Sequence, residues 1–386
     1  MIRSMRLLAF VAPAILAMAV GGEPSSGRTG DDDPGLAVLL GDRGDQGFAR
    51  AIGQRRFDFP ADHGPHPEFR NEWWYFTGNL ANDAGRPFGF ELTFFRIGLK
   101  SDSRAENFKS RWRSEQLLLA HFAITDIEGK NFHVAQRYSR VALGLAGYRE
   151  APLSLWLEDW RLEHEPESDI FVLSATEGDM ALRLSLEPQK PPVLNGDRGL
   201  SRKSDAAGNA SYYYSLPRLA ARGSLEIEGQ PFTVSGYAWM DREWSTSALG
   251  DGQVGWDWFA LQFADGSELM YYQLRRDDGS VDRHSAGTFV ARNGEASHLE
   301  FSEVALEVLD EWRSPRGGVY PAAWSLRIDS LGLEIEIHPR LADQELDTFP
   351  RYWEGAVEMR GERQGVPVSG LGYVELTGYA DRPLPQ

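Results

Sequence analysis

The chain of 386 residues contains no cysteine, which removes disulfides, thiolate nucleophiles and zinc–thiolate sites together. Its stability must therefore come from a packed core. Positive charge is also scarce: 40 Lys and Arg stand against 57 Asp and Glu, a formal net charge of -17. The excess is spread along the chain rather than gathered in one block, which opposes nucleic-acid binding and favours a soluble surface. Past the amino end, no long stretch keeps the helical period of 3.6. A G-x-S-x-G elbow is missing, so no serine nucleophile of that kind is expected. A phosphate-cradling glycine loop is missing as well, and the glycines coincide with turns, so no nucleotide and no cofactor is expected.

At the amino end, Arg3 and Arg6 precede an uncharged, mainly apolar run from Leu7 to Val20, followed by the polar stretch Gly21 to Asp33. With Ala17-Met18-Ala19 as a small-x-small site, this order predicts a signal peptide over 1–19, cleaved near Ala19. A spanning helix would need about 20 apolar residues, and Pro13 interrupts this shorter run. A periplasmic or secreted location follows, with residues 20–54 as a flexible, Gly/Asp-rich linker. The remaining 55–386 exceed the roughly 250–300 residues at which one core stops growing, so two domains are expected.

What fills those domains is strand. Trp73-Trp74-Tyr75-Phe76-Thr77 leads through Asn82-Asp83-Ala84-Gly85 into Phe88 to Phe95, a hairpin in outline. Leu117 to Thr125 turns at Glu128-Gly129 into Phe132 to Tyr138, and Leu153 to Glu163, Ile170 to Thr176 and Met180 to Leu186 continue the series. After the Pro/Gly/Ser-rich connector Pro188 to Gly208, similar runs resume and reach Gly372 to Gly378. The spacing predicts an all-β protein of two antiparallel sandwiches or barrels. Trp73-x-Tyr75-Phe76 before one hairpin is echoed by Trp256-x-Trp258-Phe259 before another, which suggests a duplication. The expected domains are 55–200 and 201–386.

The segments HGPHPEFRNEWWYFTGNL (63–80), SGYAWMDREWSTSALG (235–250), VGWDWFALQFADGSELMYYQLRRDDGS (254–280), RYWEGAV (351–357) and GYVELTGY (372–379) resemble the AttH-like, lipocalin-like family. That family includes bacterial carotenoid 1,2-hydratases, also called hydroxyneurosporene synthases, and proteins known only as secreted hydrolases. The resemblance runs from about Phe57 to Ala380. It implies two tandem lipocalin-like antiparallel β-barrel domains and, for some members, addition of water to isoprenoid double bonds. It also implies an ABC transporter permease of the FtsX/MacB type as a partner. The chain departs from the hydratase branch at Arg242, where that branch carries a histidine.

Hydrating a trisubstituted alkene needs an acid that protonates carbon, walls that tolerate a carbocation, and a directed water. A carboxyl buried among aromatic rings supplies the first, because desolvation raises its pKa. Trp and Tyr faces supply the second, at about 0.5 to 2 kcal/mol each. Trp239-Met240-Asp241-Arg242-Glu243-Trp244, Trp256-Asp257-Trp258 and Tyr271-Tyr272 have this composition. In an extended strand Trp239, Asp241 and Glu243 share one face, and Arg242 and Trp244 the other. Asp241 is the first choice of proton donor, Glu243 the second and Asp257 the third. Trp239, Arg242, Trp244, Trp256, Trp258, Tyr271 and Tyr272 are the candidate ligand contacts. The plain alternative is that the tryptophans are core and that Asp241, Arg242 and Glu243 form one buried ion network. His63-x-x-His66 lies in a Gly/Pro loop and, lacking a third ligand, is not expected to bind a metal. His121 and His338 read as satisfied strand histidines.

Three functions fit these residues. One is a carrier of a hydrophobic small molecule or lipid, serving the transporter. Another is a hydro-lyase or isomerase acting on an isoprenoid-like ligand in the same cavity. The third is an assembly part of the transporter with filled barrels and no cavity.

Overall fold

The computed structural model describes residues 47–99 and 115–380. The expected signal peptide and most of the expected linker lie outside them. Twenty-three strands form two antiparallel sheets, one curled into a nearly closed barrel and the other into a half-barrel. The all-β, two-barrel expectation is borne out.

The first sheet opens with β1 (Asn71–Asn82), β2 (Pro87–Gly98), β3 (Gln116–Asp126) and β4 (Asn131–Arg140). It continues with β5 (Ala146–Arg149), β6 (Ser154–Leu157), β7 (Trp160–Glu165), β8 (Ile170–Glu177) and β9 (Met180–Pro188). The short β10 (Val193–Leu194) and β11 (Leu200–Arg202) pair with β12 (Ala210–Ile227), which pairs in turn with β13 (Gln230–Ser245). The second sheet holds β14 (Gln253–Phe263), β15 (Glu268–Arg276), β16 (Ala286–Val290), β17 (Ala296–Glu300) and β18 (Ala305–Arg313). It is completed by β19 (Val319–Ile328), β20 (Leu333–Pro339), β21 (Glu345–Leu346), β22 (Tyr352–Arg363) and β23 (Val366–Leu376).

Both sheets follow one plan. The order is β4-β3-β2-β1-β13-β12-β9 and onward in the first, and β17-β16-β15-β14-β23-β22-β20 and onward in the second. In each, four consecutive strands are joined through their first member to the last strand of the set. The echoed Trp-rich runs begin these equivalent strands, β1 and β14, so the repeat in sequence is matched by a repeat in topology.

Local chemistry sets the hairpins. Between β1 and β2, Gly85 adopts φ 84° and Asn82 Oδ1 accepts from the Arg86 amide at 2.9 Å. Between β14 and β15, Gly266 adopts φ 87° and Asp265 Oδ1 caps the Ser267 amide at 2.9 Å.

Three expectations need correction. The run Leu153 to Glu163 is not one strand: Glu158, with φ 59°, and Asp159 turn it into the β6–β7 hairpin. The change of sheet comes after Ser245 rather than near residue 200, because β12 and β13 hydrogen-bond to β9 and β1. The end of the expected linker is packed: Phe48 and Ala51 are buried, and the Ala49 amide donates to Glu68 O at 2.8 Å.

Apolar side chains gather in three clusters: one inside each sheet, and a third between them built from Tyr75, Tyr213, Trp239, Trp258, Met270, Tyr272, Ala356 and Tyr373. Period-two alternation explains the third. Strands β1 and β14 and the carboxyl-terminal parts of β13 and β23 bury both faces, so each gives alternate residues to its own interior and to the seam.

Candidate functional site

A pocket partly open to solvent lies at this seam. The first sheet contributes Trp73 and Tyr75 from β1, Tyr213 from β12, and Asp241 and Glu243 from β13. Across from them stand Trp256 and Trp258 of β14, Tyr272 of β15, Tyr352 of β22 and Glu375 of β23. Tyr75 and Trp258 meet edge to face, their centroids 5.0 Å apart, so the two echoed runs face one another across the site.

Asp241 is buried and surrounded by donors. Trp239 Nε1 donates to Oδ1 at 2.7 Å and Ser215 Oγ to the same oxygen at 2.5 Å, while Tyr213 Oη donates to Oδ2. The direction of the last two bonds is fixed from behind. Trp258 Nε1 donates to Tyr213 Oη at 3.1 Å and Asn195 Nδ2 to Ser215 Oγ at 2.8 Å, which leaves each hydroxyl proton for Asp241. Burial pushes this carboxyl up to about 7 against the pull of the three donors. Its partners all match the ionised form.

Glu243 accepts from Ser211 Oγ and pairs with Lys203 Nζ at 3.0 Å. Burial alone would lower the Lys203 ammonium, but the Glu243 carboxylate raises it. That ammonium also sits 4.4 Å from the Tyr272 ring centroid, a cation–π contact at the pocket wall.

The second sheet brings carboxyls of a different kind. Glu375 lines the pocket and is only partly buried. Desolvation pushes it up to about 8; a hydrogen bond from Trp256 works against this, and the charges of Glu91, Asp241 and Glu243 add to it. It is therefore a neutral carboxylic acid at neutral pH. Behind it, burial and the carboxyls of Glu375 and Glu91 hold Glu354 well above the usual range. Glu354 Oε1 accepts from Tyr75 Oη at 2.6 Å, and its Oε2 has no partner. Burial lifts Glu91 to about 7. Among the described residues no salt bridge neutralises Glu91, Glu354 or Glu375.

A directed chain of bonds reaches Glu91 from outside the pocket. Gln136 Oε1 accepts from the Phe349 amide at 3.3 Å, so its Nε2 faces His121 Nε2 at 2.7 Å as a donor. The His121 proton then lies on Nδ1, 2.7 Å from Tyr352 Oη, which donates to Glu91 Oε1 at 3.3 Å. Burial holds this imidazole down at about 3, hence neutral. His121 is satisfied, as the sequence suggests, and its partners connect it to the pocket.

The alternation expected on β13 is present and divides the candidate residues. Asp241 and Glu243 reach the pocket, and Trp239 buttresses Asp241. Trp256, Trp258 and Tyr272 line it. Arg242 and Trp244 point the other way, into the first barrel: Arg242 pairs with Glu72 and lies 3.9 Å from the Trp74 ring centroid, while Trp244 stacks on His66 at 3.8 Å. Neither can touch a ligand in the pocket. Asp257 and Tyr271 face the interior of the half-barrel. Asp257 accepts from Arg275 Nε at 2.9 Å and from Tyr379 Oη at 3.0 Å, and Tyr271 joins the core of that sheet. The expected ion network of Asp241, Arg242 and Glu243 does not form, because alternation puts Arg242 on the opposite face of β13, where it pairs with Glu72 beside Arg96.

Sequence reasoning missed Glu375, Glu354, Glu91, Lys203 and the tyrosines Tyr75, Tyr213 and Tyr352. One signal was available: a glutamate inside an apolar strand run, as in Tyr373-Val374-Glu375-Leu376 and Tyr352-Trp353-Glu354-Gly355, is costly unless it has a task.

Comparison with known proteins agrees with the architecture. The AttH-like family model matches residues 50–379. The crystal structure of an AttH-type protein from Nitrosomonas europaea superposes with a TM-score of 0.76 at 36% identity, covering 86% of this chain and 100% of that one. Kievitone hydratase from Nectria haematococca gives 0.64 at 15% identity over 87% of this chain and 99% of its own. CghA, solved with Sch210972, gives 0.56 at 14% over 88% and 98%. At such identities these two share the fold alone. No curated protein matches. On the breadth of the family match and the similarity to the Nitrosomonas protein, the chain belongs to the AttH-like family.

Proposed function

We propose that the seam pocket binds a hydrophobic, alkene-bearing small molecule and adds water to it, or removes water from it, by acid–base catalysis. The observation that carries this reading is Glu375, a carboxyl kept neutral at pH 7 on the wall of an aromatic pocket. Two carboxyl populations with different partners are the arrangement such chemistry needs. Glu375 protonates one alkene carbon. The cation left on the other is flanked by Trp256, Trp258 and Tyr272, each ring face contributing about 0.5 to 2 kcal/mol. A water then adds to that carbon as its proton passes to Asp241, whose donors match the ionised state. Transfer of that proton to Glu375 closes the cycle, and the net change is one water gained. The sequence-level choice of Asp241 as acid therefore becomes Asp241 as base.

A carrier without chemistry would need the aromatic walls alone. Carboxyls with no counter-charge serve no binding purpose for an apolar ligand, and they weigh against that reading. The interiors of the two sheets are filled, but the open pocket at the seam weighs against an assembly part with no cavity. Export through the amino-terminal segment and service to an FtsX/MacB-type ABC transporter complete the proposal; the first rests on the sequence and the second on the family resemblance. A hydratase as a fold relative is consistent with it.

The test has two steps. Ligand extracted from the purified protein is identified by mass spectrometry. That compound and a panel of isoprenoid alkenes are then incubated with the protein in D₂O. Enzymatic hydration places one carbon-bound deuterium in the product, and Glu375→Gln abolishes it. Tight binding with no deuterium incorporation in any compound makes the protein a carrier.

A further inference from the structure

A second cleft, with a rim that includes Pro60, Pro166, Pro188, Pro191 and Pro192, opens on the first sheet. His63, from the turn Ala61–His63, His164 of β7 and Asp169 in the β7–β8 turn meet on its wall. One ligand-capable atom from each lies within 4.8 Å of the other two. The third ligand that the loop pair His63-x-x-His66 lacks thus arrives from a hairpin about a hundred residues along the chain. His66 itself is turned away onto Trp244.

We propose that His63, His164 and Asp169 bind one divalent cation of the zinc class. The donor set, two imidazoles and one carboxylate with an open side towards the cleft, is one that zinc accepts, leaving a fourth position for water or a ligand. The hydrogen bonding around His63 prepares it. Tyr214 Oη lies 2.6 Å from His63 Nδ1 and 3.4 Å from Asp62 O, so in the tautomer protonated on Nδ1 that nitrogen donates to Tyr214. That tautomer leaves Nε2 bare, and a hydrogen bond on the far nitrogen is the usual means of orienting a metal-binding imidazole. The ring is also held in place: His63 lies 5.0 Å from both Phe59 and Phe171, and Trp74 Nε1 donates to its carbonyl at 2.8 Å. His164 is packed on Phe171 with Nε2 2.9 Å from Asp169 Oδ1. Those two atoms are close to the roughly 3.3 Å edge of a tetrahedron with zinc-ligand bonds of about 2.0–2.1 Å. Lys190, also on the cleft wall, has its ammonium held by Glu268 at 2.6 Å.

The test uses chelator-treated protein titrated with Co²⁺, read by visible absorption, and with Zn²⁺, read by calorimetry and melting temperature. One equivalent should bind, with the intense visible bands of four-coordinate Co²⁺ and a rise in melting temperature with Zn²⁺. Asp169→Asn should weaken binding by about 100-fold or more, since even outer partners of a metal ligand are worth about 10–100-fold. Asp169 is an exposed turn residue at φ 54°, a conformation that Asn tolerates, so this variant keeps the fold. His164→Gln should abolish the Co²⁺ bands, and His298→Gln, on the second sheet, should change nothing. Absence of stoichiometric binding, or binding indifferent to both Asp169→Asn and His164→Gln, overturns the proposal and leaves His164 and Asp169 as a hydrogen-bonded hairpin pair.

Discussion

The two faces of β13 bury charge in opposite ways. On one, Glu72 sits between Arg96 and Arg242, all three with fully buried side chains. Burial alone would raise the Glu72 carboxyl, but the two guanidinium groups hold it well below the usual range. On the other, Asp241 and Glu243 share the pocket with Glu375, and Lys203 pairs with Glu243. There burial prevails, and Asp241 and Glu375 are pushed up. Charge matched within a barrel organises the fold. Carboxyls without matching charge at the seam cost stability, and the acid–base work proposed above would be the reason for keeping them.

Breaking the matched face should have the largest effect on the fold. Arg242→Met strands Glu72 beside a single guanidinium and should lower stability by about 3–5 kcal/mol in urea unfolding; a loss below about 1 kcal/mol would make the two faces energetically alike. On the seam face, Glu375→Gln should slow turnover of the identified substrate by about 10² to 10⁴ while the unfolding midpoint holds or rises. A variant that loses stability but keeps its rate would reassign Glu375 to the fold.

The faces should also respond to pH with opposite signs. Glu375 rises from an ordinary 4.5 to about 8 in the folded chain, and Asp241 from 3.8 to about 7. Their stability contribution is full below about pH 4 and is lost as pH climbs through about 7 to 8, by at most about 1.4 kcal/mol per pH unit for each group. Glu72 is lowered, so its contribution is present above 4.5 and is lost as pH falls below that value. Unfolding free energies of wild type and Glu375→Gln at pH 5.5, 7 and 8.5 isolate the seam term: the difference, wild type minus variant, should fall steadily as pH rises, so that any wild-type advantage is greatest at pH 5.5. An advantage that grows would reverse the assignment. The smallest effect is expected from Trp256→Leu, which removes one ring face and should reduce turnover by about 2- to 30-fold, the equivalent of about 0.5 to 2 kcal/mol. Unchanged kinetics would place the developing cation elsewhere in the pocket.

Much of the seam can be read from the chain. Alternation along 239–244 separates Asp241 and Glu243 from Arg242 and Trp244, and the echo of Trp73-x-Tyr75 in Trp256-x-Trp258 marks the two strands that face each other. The same alternation sets Asp257 opposite its Trp neighbours, as found, and it could have warned that Tyr271 and Tyr272 cannot both line one pocket. Glu375 and Glu354 were harder to see, because a glutamate in a strand is neutral or ionised according to what lies across from it. Tyr75 Oη and Glu354 Oε1 are 279 positions apart in sequence and 2.6 Å apart in space.

The sequence by itself determined the strands, their turns, the duplication and the residues that share a face, because these depend on period-two geometry and local turn chemistry. Only the tertiary structure decided which face meets which. That choice settles whether a buried carboxyl finds a guanidinium, as Glu72 does, or other carboxyls and aromatic rings, as Glu375 does. It depends on desolvation and on charges brought together from distant segments, and neither is a property of any one stretch of chain.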